Sequence, residues 1–297
     1  MKIFLDCLPC FVRQALDASR MASDDPGVQE VLIRKAILLL ADIDYSKTPA
    51  HMGSRIHKLI RRISGENDPY KNVKSKYNKF ALSLYPYLSR LVEESDDRFE
   101  TAVRLAIAGN IIDFAISDRI REDTVHQAIQ ESLTGDIPGD ALGHFRQATE
   151  SAKSIIYLGD NAGEIVFDRL LINEIGPDKI IFAVKSGPII NDATMEDARA
   201  AGIFDLVKVI STGSDFVGTI LETCSEDFIR RFNDADLVIA KGQANYETLS
   251  DVEADITFLL KVKCPVIASE SGHEVGRMVI HNNFLIKRKG GEIYAGI

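Results

Sequence analysis

The sequence predicts an α/β protein: a doubly wound, three-layer α/β/α domain with a mostly parallel sheet, preceded by an all-α domain. Two observations predict this fold class. Up to about residue 149, apolar residues recur at intervals of three and four, which is typical of amphipathic helices. After residue 150, short apolar runs alternate with helical segments, which is typical of parallel strands joined by crossover helices. We therefore predict a helical domain over residues 1–149 and an α/β domain over residues 150–297.

Capping residues mark several helices in the first half. Asp6 is the predicted N-cap of the first helix. Thr48 is a predicted cap, Pro49 suits the first helical position, and Gly65 supplies a stop. Two further helices are predicted to start at the SDDP motif before Val28 and at NDPY (67–70). Two more are predicted over 96–116 and 121–133. Residues 134–140 are the best linker candidate, and helix is predicted to continue to about Ser151.

The second half is predicted to hold about five to seven strands. The apolar runs are SIIYLG, KIIFAV, LVKVIS, DLVIAK, FLLK and PVIAS, with helices near 164–175, 192–201, 214–233 and 246–252. In a doubly wound sheet, ligands bind beyond the carboxyl ends of the strands. The segments that follow the strands are therefore the places to search for a site.

Composition narrows the class of partner. The net charge of -9 argues against nucleic acid or an anionic membrane surface as the main partner, and a small anionic substrate would need a local positive site. No apolar stretch reaches the roughly 18 residues of a membrane span, and Asp6 interrupts the apolar start, so we expect a cytoplasmic protein. Cys7 and Cys10 form a CxxC pair, and no nearby Cys or His pair completes the four ligands of a zinc site. Two interpretations stay open: small residues at the start of a helix, or a thiol pair.

Polar loops follow four of the predicted strands. They read GDNAGE, KSGPIINDAT, STGSD and KGQANYE, and parallel strands would bring them to one edge of the sheet. The side chains expected there are Asp160, Asn161, Lys185, Asn191, Asp192, Lys241 and Gln243. Carboxylate and carboxamide oxygens suit hard divalent cations such as Mg²⁺ or Mn²⁺, and lysines suit a phosphate. The alternative is that these Asp and Asn residues only form turns and helix N-caps.

Several of these motifs together resemble one protein family. LGDNAGEIVFDRLLI, VKSGPIINDATMEDA, AKGQANYETL and LLKVKCPVIA, with FLDCLPC at the start and AGNIIDF at 108–114, resemble the damage-control phosphatase family, the ARMT-like group long described as a domain of unknown function. The N-terminal CxxC is similar to the small archaeal and bacterial subgroup. The resemblance spans nearly the whole chain. It implies a helical domain beside a Rossmann-like α/β domain and hydrolysis of phosphate monoesters, often of sugar phosphates or damaged metabolites.

The resemblance also implies roles for individual residues. Asp160, Asn161 and Asp192 match the family's metal ligands, for Mn²⁺, Co²⁺, Ni²⁺ or Mg²⁺. The KGQAN loop, with Lys241, Gly242, Gln243 and Asn245, matches the family's substrate loop. Lys263 matches a phosphate-contacting lysine. The eukaryotic Arg-Thr-x-Lys pattern reads Leu260-Lys261-Val262-Lys263 here, so only the final lysine carries over, which leaves the substrate range open.

We therefore predict a phosphatase acting on a small phosphorylated metabolite. Asp160, Asp192 and Lys263 are its predicted catalytic residues, and Glu164, Lys185, Asn110 and Asp113 join the substrate loop as predicted substrate contacts. A metal-activated water and an active-site carboxylate both stay open as nucleophile. The competing interpretations are an S-adenosylmethionine-dependent methyltransferase and a non-catalytic metabolite-binding protein that uses the same cleft.

Overall fold

The computed structural model describes residues 1–109, 122–137 and 140–283. It contains six strands: β1 Ile155–Leu158, β2 Ile180–Val184, β3 Lys208–Ser211, β4 Leu237–Lys241, β5 Ile256–Lys261 and β6 Met278–Asn283. They form one sheet in the order β3-β2-β1-β4-β5-β6, in which only β6 runs antiparallel to its neighbour. The predicted α/β class with a mostly parallel sheet is confirmed.

Helices surround the sheet. They are α1 Cys7–Ala22, α2 Pro26–Ala41, α3 Pro49–Ser64, α4 Lys71–Glu93, α5 Arg98–Ala108, α6 Glu122–Thr134, α7 Ala141–Ser151, α8 Glu164–Ile175, α9 Met195–Ala200, α10 Glu226–Asp234, α11 Gly242–Leu249 and α12 Pro265–Ser271. Within residues 1–109, 122–137 and 140–283, no helix combines the length and apolar character that a membrane span requires.

The sheet is buried on both faces, as its apolar runs predict. Successive side chains of a strand point to opposite faces. In β1, Ile155 and Tyr157 enter a core formed with α4 to α9, whereas Ile156 and Leu158 enter a second core formed with α1 to α3 and α10 to α12. Both cores thus combine helices from the first half of the chain with strands from the second. The predicted domain boundary near residue 149 stays a prediction.

One predicted strand is wrong and one strand was missed. The run PVIAS forms α12, because Pro265 suits a first helical turn and Gly272, with a φ of 73°, ends the helix in the left-handed region. The sixth strand is instead β6, which pairs antiparallel with β5 along its full length. Its sequence, MVIHNN, has only three consecutive apolar residues. A short apolar run does not distinguish a buried helix from a strand.

Strand order determines where a cleft opens. From β1 the chain moves outward to β2 and β3, then returns to place β4 on the other side of β1. The loops that leave β1 and β4 therefore diverge from two adjacent strand ends. This is the position at which doubly wound sheets bind ligands.

Candidate active site

Backbone pairing joins the loops that follow β1 and β2. The amide N–H of Ala162 donates to Asn191 O at 2.9 Å, and that of Ala193 donates to Asp160 O at 2.8 Å, so that segments 160–162 and 191–193 form an isolated antiparallel bridge. Ile190, just before the second segment, has a φ of 45°, a strained conformation for a β-branched residue. The pairing places the three predicted metal ligands next to each other.

The capping alternative for these residues does not hold. Gly163 occupies the N-cap position of α8 without a side-chain cap, and Thr194 caps α9 in a capping box with Asp197. Helix capping therefore does not account for the side chains of Asp160, Asn161 and Asp192.

A polar pair on α4 ties the two loops together, and sequence analysis missed it. Asn78 Oδ1 accepts the amide N–H of Gly163 at 2.7 Å, while Asn78 Nδ2 donates to Asp197 Oδ1 at 3.1 Å. Lys74 Nζ lies 3.2 Å from Asp197 Oδ2 and 2.9 Å from Asp68 Oδ2. Burial opposes the charge on Lys74, but Asp197 and Asp68 outweigh it and raise the lysine's pKa. The available signal was the spacing of Lys74 and Asn78, which puts both on one helix face.

The paired loops form one wall of a cleft of about 500 Å³. Asp160, Asn161 and Asp192 line it together, although each is at least nine-tenths buried. Lys263 and Gln243 line it as well, and the backbone N–H of Lys263 donates to Gln243 Oε1 at 3.2 Å. The apolar part of the lining includes Phe11, Ala50, Ile190, Val217, Val266 and Ile267.

Gly242 gives Asp160 its space. It is the first residue of α11, directly after β4, and has a φ of 78°. A Cβ atom at this position would overlap the Asp160 carboxylate and lie 3.2 Å from Asp160 Cβ. The structure thus explains the glycine by its close approach to a predicted metal ligand as well as by its backbone conformation.

The structure corrects the predicted roles of Lys241 and Glu164. Lys241 Nζ lies 2.6 Å from both Glu164 Oε1 and Asp168 Oδ1, and donates to Ala106 O at 2.9 Å. Both side chains of the Lys241–Glu164 pair are fully buried and neither lines the cleft. Burial disfavours the ammonium, but Asp168 and Glu164 outweigh it and raise the pKa of Lys241. Its charge is therefore balanced within the protein and does not face a bound phosphate.

Two more predicted substrate contacts also turn inward. The Asn245 amide donates to Lys241 O at 2.7 Å and accepts from Thr219 Oγ1 at 2.8 Å, so both of its polar ends are used internally. Lys185 Nζ donates to Gly218 O and lies 3.6 Å from Asp192 Oδ2, behind the cleft wall. Two others, Asn110 and Asp113, lie outside the described residues.

Three thiols also line the cleft: Cys7 and Cys10 from α1, and Cys264 before α12. Burial raises the pKa of Cys7 and of Cys10. Glu247 lies with them, accepts a hydrogen bond from Gln243 Nε2 at 3.0 Å, and has a pKa that burial raises to about 7. Over the described part of the chain, no group of three or more His, Cys, Asp or Glu side chains is arranged to hold a metal ion. Among the described residues, the CxxC pair is therefore not half of a zinc site.

The predicted trio fits a hard divalent cation by its chemistry. Two carboxylates and a carboxamide oxygen are the donor types that Mg²⁺ and Mn²⁺ prefer, and few protein ligands leave positions for substrate oxygens. The clearance at Gly242 is consistent with an Asp160 carboxylate kept in a defined place.

Comparison with known proteins shows extensive similarity. The family model described as the damage-control phosphatase ARMT1-like domain matches residues 3–279. An uncharacterized protein of Methanocaldococcus jannaschii is 42% identical, with 97% of this chain and 96% of that protein covered. A damage-control phosphatase of Pyrococcus horikoshii is 36% identical over 95% of this chain and 99% of its own. The crystal structure of a DUF89 family protein from Pyrococcus horikoshii matches with a TM-score of 0.87 and 37% identity, covering 96% of this chain and all of that one.

Proposed function

Because the chain belongs to the damage-control phosphatase ARMT1-like family, we propose that it is a divalent-metal-dependent phosphatase that hydrolyses phosphate monoesters of small metabolites, sugar phosphates or damaged phospho-metabolites. One observation carries the proposal most directly. Backbone pairing of residues 160–162 with 191–193 gathers Asp160, Asn161 and Asp192 on the wall of a cleft that Lys263 also lines.

The chemistry of ester hydrolysis explains why these residue types belong together. In the net reaction one water molecule is consumed: its oxygen ends on phosphorus, the bond to the ester oxygen breaks, and the departing alcohol takes up a proton, whether water attacks directly or hydrolyses a phosphoenzyme. The dianionic phosphoryl group repels nucleophiles, so charge neutralisation and positioning dominate catalysis. A divalent cation held by Asp160, Asn161 and Asp192 would supply Lewis-acid neutralisation of the phosphoryl oxygens.

The protein's own groups supply the rest. Lys263 provides a positive charge at the cleft for the phosphoryl oxygens, and its backbone is held by Gln243. Helix α11 starts at Gly242, directly after β4, and the backbone N–H groups of its first turn are donors for the phosphoryl oxygens. The apolar lining provides contacts for the body of the metabolite and limits the water that reaches the phosphate.

A metal-exchange assay tests the proposal. The purified chain is stripped with a chelator, then given p-nitrophenyl phosphate and a panel of phosphorylated metabolites with Mn²⁺, Co²⁺, Ni²⁺ or Mg²⁺ in turn. We expect phosphate release that depends on the added cation. A chain that binds these esters without releasing phosphate would instead be a metabolite-binding protein, and tight S-adenosylmethionine binding without turnover would favour a methyltransferase.

Two variants separate the metal from the phosphate. Asp192→Asn should bind Mn²⁺ more weakly and lose turnover by about 100-fold or more, because it removes a charged ligand. Lys263→Ala should raise KM for the ester and leave Mn²⁺ binding, measured by calorimetry, unchanged. Wild-type turnover in Asp192→Asn would refute the assignment of the metal site.

A further inference from the structure

Two carboxylates hold the Asn161 carboxamide in one orientation. Asn161 Nδ2 donates to Asp160 Oδ2 at 3.0 Å and to Glu164 Oε2 at 3.4 Å. The nitrogen and oxygen of a planar carboxamide diverge from the same carbon atom. With Nδ2 committed to the carboxylates, Oδ1 is directed away from both of them.

Glu164 is itself held from behind. Its Oε1 lies 2.6 Å from Lys241 Nζ, and both side chains are fully buried. Lys241 is fixed in turn by Asp168 Oδ1 at 2.6 Å and by the carbonyl of Ala106 at 2.9 Å. Because Lys241 engages Oε1, the remaining oxygen of Glu164, Oε2, is the one presented to Asn161.

We propose that Glu164 and Lys241 form a positioning pair that orients the Asn161 carboxamide so that Oδ1, and not Nδ2, is the atom that binds the cation. The proposal rests on the proposed function, because it concerns the same metal site. Orientation matters there, since a carboxamide oxygen has lone pairs to offer a cation and the NH₂ group has only donors. Neither member of the pair touches the substrate; both act through Asn161.

The isosteric change Glu164→Gln tests the pair. The oxygen of the new amide faces Lys241, because an NH₂ group there would point at an ammonium, so its own NH₂ group faces Asn161. Two NH₂ groups cannot share a hydrogen bond, so Asn161 Nδ2 loses its bond to residue 164 and keeps only the bond to Asp160 Oδ2. The Asn161 amide is then held from one side only, and its Oδ1 is no longer fixed in place for the cation. We expect Mn²⁺ to bind about 10- to 100-fold more weakly, as measured by electron paramagnetic resonance titration of free Mn²⁺ without substrate.

Asp168→Asn is the matched control. It makes the same carboxyl-to-amide change on the other side of Lys241, at a residue that does not contact Asn161, and Asp168 Oδ2 has no hydrogen-bond partner among residues 1–109, 122–137 and 140–283. This variant should keep Mn²⁺ affinity within about twofold of wild type. Both variants remove a carboxylate partner of Lys241, and thermal unfolding measures the stability that each loses for this reason.

The outcomes are distinct. Weaker Mn²⁺ binding in Glu164→Gln alone supports the positioning pair. Equal loss of Mn²⁺ affinity in both variants, in proportion to their loss of stability, would show a structural role only and overturn it. Unchanged affinity in Glu164→Gln would also overturn it and leave the phosphatase proposal intact. A wild-type chain that binds no Mn²⁺ would instead remove the metal site on which both proposals depend.

Discussion

Replacing Gly242 with alanine should damage the proposed metal site without unfolding the protein. The nearest atom to the added Cβ would be Asp160 Oδ2, at a distance far below the 3.0 Å that is the practical lower limit of Cβ contacts. Restoring ordinary contact requires Asp160 to retreat by more than about 1 Å, whereas metal–ligand distances tolerate only about 0.2 Å. A displacement of that size at a reacting centre costs about 100-fold in rate. We expect Mn²⁺ affinity and metal-dependent kcat/KM each to fall at least that far.

Gly65→Ala separates this effect from backbone strain. Gly65 has a φ of 76°, almost equal to the 78° of Gly242, but a Cβ there would meet nothing within 4 Å. Both variants should lose about 1–2 kcal/mol of folding free energy to the left-handed backbone, read from chemical denaturation. Only Gly242→Ala should lose Mn²⁺ binding in calorimetry. Full Mn²⁺ affinity in Gly242→Ala, or an equal loss in Gly65→Ala, would refute the reasoning.

Three further predictions concern groups around the site. Glu247 has a folded-state pKa of about 7 against an ordinary 4.5, so the native state binds more protons than the unfolded state between these values, and stability should fall as pH rises from about 4.5 to 7. Glu247→Gln should remove that pH dependence and raise the free energy of unfolding by about 3 kcal/mol at pH 8, measured by denaturant titration. A variant whose stability depends on pH as the wild type does would contradict this. Asn78→Leu leaves the buried N–H of Gly163 without its acceptor and should lower the free energy of unfolding by about 1–3 kcal/mol. An unchanged denaturation midpoint would show that this hydrogen bond does not stabilise the loop. Cys10 is exposed yet has a raised pKa, so its reaction with a disulfide reagent at pH 7 should be slower than that of free cysteine and rise about tenfold per pH unit towards 9; rapid labelling at pH 7, absent in Cys10→Ser, would disprove this.

Local sequence patterns were sufficient for the fold class and for the loops that carry the site. The apolar runs of β1, β2 and β4 are buried on both faces, as a sheet covered on both sides requires. Polar residues directly after parallel strands meet at one sheet edge, so strand order alone predicts that Asp160 and Asp192 lie together. The predicted strand at PVIAS failed for the same local reason, because a five-residue apolar run suits either element.

Which polar side chains face the cleft was decided only by tertiary structure. Lys241 and Gly242 are consecutive, yet the first is drawn inward by Glu164, Asp168 and the distant carbonyl of Ala106, while the second lies against Asp160. No local pattern records these partners. The sequence by itself determined the parallel strands β1 to β5, the polar loops that follow them and the oxygen-bearing residues proposed as ligands, because these follow from periodicity and strand ends. The packed chain decided the direction of each side chain, because a buried charge turns to whichever partner the fold brings near it.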